Sequence, residues 1–185
     1  MRPKEFNRNH VLEQCISLFW EEGYNGSGIQ DIVARTNVNR YSLYEEFGNK
    51  EGILLASLEL YKKRHIRWDL LAQALSVEQV LFQFYASFFN SAKDNNHPTG
   101  CYISFMAMEL RETNVIQSFF NTYLDELKDR FEHVLKEKTV HIDRLETISQ
   151  QLTTFYCISM GMYVIFPLDE AEQYIQNNLK LIIDV

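Results

Sequence analysis

A six-residue segment near the N-terminus, residues 39–44, concentrates hydrogen-bonding side chains of several kinds. The guanidinium of Arg40 is a planar fork of donors that matches a pair of neighbouring acceptors, such as O6 and N7 of guanine. Asn39 and Ser42 can bond to a base edge or to a phosphate, and the ring of Tyr41 can press on a thymine methyl. This chemistry requires an element that holds the side chains together on one exposed face.

Two short helices joined by a tight turn are predicted to hold this segment. The first spans residues 28–35 and is capped by the Ser27 hydroxyl, and the second spans residues 39–46. Between them, Asn37 tolerates a positive φ, and the small side chain of Ala34 lets the helices approach each other. Helices this short must dock on a preceding helix, which gives a three-helix unit of the helix-turn-helix type. The apolar residues expected inside this unit are Ile32, Val38, Leu43 and Phe47.

Apolar residues recur at three- and four-residue steps along the whole chain, and only three prolines and seven glycines interrupt them. This pattern predicts an all-α fold of about nine helices. The helices other than the two short ones are expected at residues 7–22, 49–71, 76–93, 100–111, 114–138, 143–166 and 168–183. We expect two domains, a three-helix helix-turn-helix domain in residues 1–48 and a helical bundle in residues 49–185.

The composition narrows the possible classes of protein. The 185 residues carry a net charge of −7, but residues 1–67 hold 10 basic and 9 acidic side chains, so only this N-terminal third could meet a polyanion. No apolar run is long enough to span a membrane and the N-terminus is too polar for a signal peptide, which predicts a cytoplasmic protein. Three scattered cysteines suit neither a disulfide framework nor a zinc site, and we expect no metal or cofactor. Without a phosphate-cradling glycine loop, an HExxH or a GxSxG motif, the chain is not expected to be an enzyme.

Residues 11–54 resemble the DNA-binding region of TetR-family transcriptional regulators. The resemblance rests on a combined pattern with fixed spacing: the apolar stripe of the first helix ending at Phe19, then Gly23-Tyr24, Asp31-Ile32, Val38, Leu43-Tyr44, Phe47-Gly48 and Lys50-Glu51. It implies a ligand-responsive repressor that binds a pseudo-palindromic operator as a homodimer and is released by a small-molecule effector. The remaining residues would form a variable helical part for effector binding and dimerisation.

The resemblance makes the second short helix the recognition helix and implies DNA contacts around it. Tyr44 matches the family's phosphate-contacting tyrosine, and Lys50 would pair with another phosphate. The expected contacts are Ser27, Gly28, Asn39, Arg40, Tyr41, Ser42, Tyr44 and Lys50. Glu45 and Glu46 stand where family members frequently have aromatic or His residues. We expect these acids to point away from the DNA backbone, or to restrict which bases and bends are tolerated.

Aromatic and Met residues of the middle helices predict an effector pocket, although part of them must be core. The expected lining is Tyr85, Phe89, Phe105, Glu109, Tyr123, Tyr156 and Met160. Alternatively, Cys101 at a helix start could make the chain a redox-responsive regulator, because the positive end of a helix lowers a thiol pKa. Residues 143–183 form an apolar hairpin that could pair with a symmetry mate or serve only as internal core. A helical protein-interaction module without specific DNA binding is the alternative from another class.

Overall fold

The computed structural model describes residues 6–95, 100–137, 142–162 and 166–183, and every regular element within these ranges is helical. The first four helices are α1 (Arg8–Glu22), α2 (Ile29–Thr36), α3 (Arg40–Phe47) and α4 (Lys50–Arg64). They are followed by α5 (Val77–Asn95), α6 (Tyr102–Glu109), α7 (Asn114–Glu137), α8 (Leu145–Met162) and α9 (Leu168–Ile183). The predicted all-α fold of about nine helices is therefore confirmed. None of the described helices is both long and apolar enough to cross a bilayer.

Helices α1 to α3 form the predicted helix-turn-helix unit. The side chain of Asn7 caps α1 by accepting bonds from the backbone N–H groups of Asn9 and His10. The apolar stripe of α1, with Phe19 fully buried, provides the surface on which α2 packs. Helix α3 packs mainly on α4, and the fully buried Leu43 anchors it there. The two short helices are thus held by tertiary contacts, as their length requires.

The turn between α2 and α3 confirms one prediction and corrects another. Asn37 adopts the left-handed conformation, with φ 56°, and its N–H donates to the Val33 carbonyl at 2.9 Å. The predicted role of Ala34 is wrong, because its side chain is exposed. Thr36 takes the inward position instead, and its hydroxyl donates to the Ile32 carbonyl at 2.7 Å. A hydroxyl can occupy this buried place because the helix backbone satisfies it.

The predicted Ser27 cap of α2 is also wrong. Ser27 is 1% exposed, and its hydroxyl donates to the Gly23 carbonyl at 2.7 Å, which closes the turn after α1. Gly28 is the capping residue, and its backbone N–H donates to the Asp31 carboxylate at 2.6 Å. That carboxylate replaces the predicted hydroxyl, and its charge suits the positive end of the helix.

Helix α4 is shorter than predicted, since it ends at Arg64 and not near residue 71. A 3-10 turn, Trp68–Ala72, follows it. The break allows Ile66 to be buried and the Trp68 ring to stack on Phe84, with ring centroids 5.7 Å apart. Helix α4 therefore connects the helix-turn-helix unit to the body but does not run along the whole body.

Helices α5 to α9 form the body, a bundle tied together by buried phenol groups. The Tyr85 hydroxyl of α5 donates to the Leu152 carbonyl of α8 at 2.6 Å. At the junction with the N-terminal unit, three aromatic rings meet with centroids 5.5 to 5.8 Å apart: Trp20 of α1, Tyr61 of α4 and Tyr102 of α6. The body and the N-terminal unit share one continuous core.

Candidate nucleic-acid interface

Helix α3 presents a polar and aromatic face to the outside, while Leu43 fixes its other face to the core. The side-chain oxygen of Asn39 caps its first turn by accepting from the Ser42 N–H at 2.9 Å. Arg40 is exposed, and its guanidinium carbon lies 5.0 Å from the centroid of the Tyr44 ring. This cation–π contact holds the guanidinium on the outer face and leaves its N–H donors available to a ligand.

Tyr41 is 76% exposed, the largest exposure among the bulky apolar side chains of the described chain. An aromatic ring so open to water is typical of a binding surface rather than of a folding core. Together with Arg40, Tyr44 and Glu45 it lines a shallow concavity on α3. The side chains predicted to read bases therefore lie next to one another.

Lys50, the first residue of α4, lies at the edge of this surface. Its ammonium group donates to the Tyr24 carbonyl and is 3.9 Å from the centroid of the Tyr24 ring. Burial lowers the pKa of Lys50, and the nearby Glu109 carboxylate opposes that shift. Gly28 is exposed at the adjacent start of α2, whereas the buried Ser27 lies beneath the surface and is not placed to meet a phosphate.

The two acids at the end of α3 have different surroundings. Glu46 accepts a hydrogen bond from Arg8 Nε at 3.0 Å, so its carboxylate faces α1. The Arg8 guanidinium also lies 5.2 Å from the centroid of the Phe47 ring. Glu45 is exposed beside the concavity that Tyr41 lines. The sequence shows that Glu45 and Glu46 are adjacent, but only the fold shows that Glu46 binds Arg8 on α1.

The structure scatters the residues expected to line the effector pocket. Tyr85, Tyr123 and Tyr156 are fully buried in the core, and the hydroxyls of Tyr123 and Tyr156 lie 2.8 Å apart. Burial raises the pKa of all three phenols well above its ordinary value. Phe105 is half-buried against the core, and the side chain of Phe89 lies outside the described residues. Their aromatic type predicted a pocket lining, but the hydrogen bonds of the three buried tyrosine hydroxyls indicate that these residues pack the bundle.

Glu109 and Met160 have other surroundings than the tyrosines. Glu109 accepts hydrogen bonds from the backbone N–H groups of Tyr24 and Asn25, in the turn after α1.

Met160 borders a groove of about 440 Å³ between α6, α7 and α8. The groove is lined by Ser104, Ala107, Met108, Arg111, Gln117, Phe120, Cys157 and Met160. Of this set only Met160 was expected from the sequence, because the others come from α6, α7, α8 and the turn after α6 at irregular spacing.

The Ser104 hydroxyl distinguishes this groove chemically. Ser104 is 6% exposed, and its hydroxyl has no nitrogen or oxygen hydrogen-bond partner among the described residues. It lies close enough to the Cys101 thiol for a hydrogen bond that partly offsets the burial-induced rise of the thiol pKa, but sulfur is a weak acceptor. A buried hydroxyl without a good partner is costly, so a polar group entering the groove would be stabilised there.

A second groove, of about 510 Å³, lies between the 3-10 turn and α7. The Arg130 guanidinium carbon covers the Trp68 ring at 4.3 Å, and Arg130 also donates to the Glu126 carboxylate at 2.7 Å. On the same wall, the His133 ring nitrogen Nε2 lies 3.2 Å from the Glu137 carboxylate. Several polar groups of this groove therefore already contact one another. Across the described ranges, no three His, Cys, Asp or Glu side chains are grouped as metal ligands.

Cys101 does not have the properties expected of a redox sensor. It precedes α6 as predicted, but it is only 3% exposed, and burial raises the pKa of its thiol. The predicted lowering by the helix end is wrong because desolvation of the thiolate outweighs the helix dipole. Cys157 is half-buried in the groove and its pKa is raised by burial as well.

Comparison with known proteins identifies the family. The family model for bacterial regulatory proteins of the tetR family matches residues 11–57, which run from α1 into α4. The repressor ComR of Escherichia coli K12 is 30% identical over 142 residues, a match spanning 75% of this chain and 64% of ComR. The uncharacterized HTH-type regulator YezE of Bacillus subtilis 168 is 28% identical over 137 residues, spanning 72% of this chain and 71% of YezE.

Solved structures show the same fold over nearly the whole chain. The TetR-family regulator CifR, solved as a cysteine mutant with a 26-base-pair operator DNA, superposes with a TM-score of 0.85 at 20% identity, covering 97% of this chain and 98% of CifR. A TetR-family regulator from Cytophaga hutchinsonii gives a TM-score of 0.82 at 18% identity, covering 100% of this chain and 96% of that one. The helix-turn-helix geometry, the family match and these relatives together show that the chain belongs to the TetR family of bacterial regulatory proteins.

Proposed function

We propose that the chain is a transcriptional repressor, and not an enzyme, that binds a pseudo-palindromic operator as a homodimer and is released by a small-molecule effector. Residues 1–48 would carry most DNA contacts, and residues 49–185 would dimerise and bind the effector. The observation that carries this proposal is the outer face of α3, where Arg40, Tyr41 and Tyr44 are presented together on a helix anchored from behind. The relatives named as repressors support the direction of regulation.

Base reading falls to the first turn of α3. A major groove admits a helix, and a guanidinium fork on its outer face can bond to O6 and N7 of one guanine. Arg40 has that position, and Tyr41 beside it offers an apolar ring to a thymine methyl. Tyr44 and Lys50 are placed at the flank, where they would meet phosphates. We propose the contacts Gly28, Asn39, Arg40, Tyr41, Ser42, Tyr44 and Lys50, and withdraw Ser27.

Dimerisation through residues 143–183 would use the outer faces of α8 and α9. Several apolar residues of this hairpin are committed to the chain's own core: Ile148, Leu152, Phe155 and Leu179. Others remain open to water, with Ile158 57%, Tyr174 46% and Leu181 66% exposed. A two-fold axis on this face would allow two α3 helices to meet successive major grooves, about 34 to 36 Å apart.

The α6–α7–α8 groove is the proposed effector site. Its wall is mostly apolar, and the unsatisfied Ser104 hydroxyl and the Gln117 amide supply polar groups. An effector can release DNA only if it binds one arrangement of the bundle better than another, since equal affinity shifts nothing. Helix α4, which connects the body to α3, would change the separation of the two recognition helices.

Genomic footprinting and gel shifts with purified protein test the DNA-binding proposal. Wild type should protect a small set of pseudo-palindromic sites, and Arg40→Ala should bind them at least roughly 30-fold more weakly, because the homodimer loses one guanine contact in each half-site and each contributes about 1 to 3 kcal/mol. Arg67→Ala is the matched control, since Arg67 is exposed and pairs only locally with Asp69. Equal binding of wild type to genomic sites and to random DNA would contradict the proposal.

A further inference from the structure

Glu109 links the body to the helix-turn-helix unit through two charge-assisted hydrogen bonds. It is the last residue of α6, and its carboxylate accepts from the N–H of Tyr24 at 2.9 Å and from the N–H of Asn25 at 2.7 Å. These donors lie in the turn between α1 and α2, more than 80 positions earlier in the chain. One side chain of the body thus fixes the backbone of a turn at the DNA-binding end.

The turn is shaped to receive that carboxylate. Gly23 has φ +78°, a conformation that disfavours any side chain, and a Cβ there would lie 3.2 Å from Glu109 Oε1. Glycine is therefore needed for two independent reasons, backbone conformation and close approach. The neighbouring Ser27 hydroxyl bonds to the Gly23 carbonyl and closes the turn from its other side.

The same turn contacts Lys50, a residue proposed to touch DNA. Glu109 binds the N–H of Tyr24, while the Tyr24 carbonyl accepts from the Lys50 ammonium and the Tyr24 ring lies beneath it. Tyr24 is thus bonded on one side to α6 and on the other side to the start of α4. A displacement of the Glu109 carboxylate would therefore act on Lys50 both through Tyr24 and through the direct attraction between the two charges.

Helix α6 also forms one wall of the proposed effector groove. Ser104, Met108 and Arg111 face the groove, whereas Glu109 reaches in another direction to the turn. A shift of α6 by about 1 Å would lengthen both Glu109 bonds beyond hydrogen-bonding distance. The groove and the turn are therefore connected by one rigid helix of eight residues.

We propose that Glu109 is a positioning residue for DNA binding, which holds the Tyr24 turn so that Lys50 lies where it meets a phosphate. Through this contact, a shift of α6 at the groove would change the position of Lys50 on the DNA-binding surface. The inference rests on the proposed function, since it concerns the same DNA contact.

The test compares Glu109→Gln with Glu112→Gln, which removes the same charge three residues later from an exposed side chain. Amide hydrogen exchange of the free protein is measured first. Glu109→Gln should speed the exchange of the Tyr24 and Asn25 amides roughly tenfold and leave the amides of α8 unchanged, because the Gln side chain offers one neutral acceptor oxygen where the carboxylate offers two charged ones. Glu112→Gln should change neither. Unchanged exchange of the turn amides in Glu109→Gln would overturn the proposal.

Operator binding is then measured as a function of salt. Glu109→Gln should weaken binding roughly tenfold and lower the steepness of log affinity against log salt by about 1.8, the value for one phosphate contact in each half-site of the homodimer. Lys50→Met should give the same change, and the double variant should add little to it. A purely structural role would lower thermal stability and leave the slope unaltered, which would overturn the proposal. A wild type that shows no preference for genomic sites would contradict the proposed function itself. A wild type that prefers them, together with an unchanged salt slope in Glu109→Gln, would contradict only the role of Glu109.

Discussion

At the scale of single residues, the acid at the end of α3 has an unexpected partner. Glu46 is close to the proposed reading face, yet its carboxylate bonds to Arg8 on α1. The ion pair occupies an arginine that would otherwise be available to a phosphate near the N-terminus of α1. Glu46 therefore limits the positive charge that this surface offers to DNA.

Replacing Glu46 by Gln should strengthen DNA binding. The loss of the ion pair frees the Arg8 guanidinium to meet a phosphate, so operator affinity should rise roughly three- to tenfold and its salt dependence should steepen by about one contact. Fluorescence anisotropy over a salt series measures both quantities.

The matched control is Glu45→Gln, which removes the same charge from an exposed neighbour on the same helix. It should raise affinity less and leave the number of phosphate contacts unchanged. An equal gain with both variants would show that only net charge matters and that the Arg8 pair has no role.

Residue-level predictions succeeded where local chemistry decides the outcome. Asn37 was predicted in the turn because Asn tolerates a positive φ, and it adopts one. Ser27 was predicted as a cap because of its type, but the Gly23 carbonyl competes for its hydroxyl. The partners of Glu46 and Glu109 lie far away in sequence, so no local pattern could reveal them.

At the scale of elements, α1 and α4 are joined by a polar cluster as well as by their apolar core. Glu13 on α1 accepts from the His65 ring nitrogen at 2.9 Å and from Arg64 at 3.2 Å. The hydrogen bond to His65 is the main cause that lowers the pKa of Glu13, and burial only partly offsets it. Arg64 and His65 lie at the end of α4, where the helix dipole favours the positive charge of Arg64.

This cluster predicts an acid-dependent loss of stability. Because the pKa of Glu13 is lower in the folded chain than its ordinary value of 4.5, its contribution is present above that value and is lost as the pH falls through the folded pKa. Glu13→Gln should cost about 1 kcal/mol of unfolding free energy near pH 6, after allowance for partial exposure.

Urea unfolding between pH 3 and pH 6 measures that cost. The difference between wild type and Glu13→Gln should shrink towards zero at the acidic end of the series. Glu21→Gln serves as the control, because its pair with Arg35 is more exposed to solvent. A difference that stays constant over the whole range would contradict the assignment.

Helix positions could be predicted from periodicity, but their ends depended on tertiary contacts. Asn49 caps α4 as its type predicts, by accepting from the Gly52 N–H. The sequence predicts the other end near residue 71, because few glycines and prolines interrupt the chain. The helix stops at Arg64, because Ile66 in the following segment and Trp68 at the start of the 3-10 turn both pack into the core.

At the scale of the whole molecule, the outer faces of α8 and α9 determine the proposed assembly. Ile158 and Leu181 are more than half exposed although they lie on helices whose other faces are buried. A surface with several exposed apolar side chains is expected to be covered by a partner in the functional protein. A second copy of the chain is the proposed cover.

Charged substitutions on these faces should separate the dimer. Ile158→Glu and Leu181→Glu should each weaken self-association at least tenfold and weaken operator binding in parallel, because one recognition helix contacts only half of the site. Sedimentation velocity gives the mass, and thermal unfolding checks that the monomer stays folded. Leu75→Glu, at an exposed apolar residue before α5, is the control. A dimer of unchanged affinity in both variants would contradict the proposed interface.

The residues of the proposed DNA-binding surface could be predicted from sequence in more detail than those of the proposed effector groove. Its residues lie on one short helix, so their spacing alone places Arg40, Tyr41 and Tyr44 on a common face. The groove instead gathers side chains from α6, α7 and α8, and the angles between those helices are set by packing. Buried tyrosines and pocket tyrosines have the same periodicity, and only the hydroxyl partners of Tyr123 and Tyr156 separate the two roles.

The continuous core that joins the N-terminal unit to the body has a consequence for the cell. Rings from α1, α4 and α6 pack together at the junction, so the stability of α3 depends on that of the bundle. A destabilising substitution deep in the body would raise the unfolded fraction of the entire chain and expose it to proteolysis. Regulation by such a variant would weaken because fewer copies survive, even though every residue proposed to face the operator is intact.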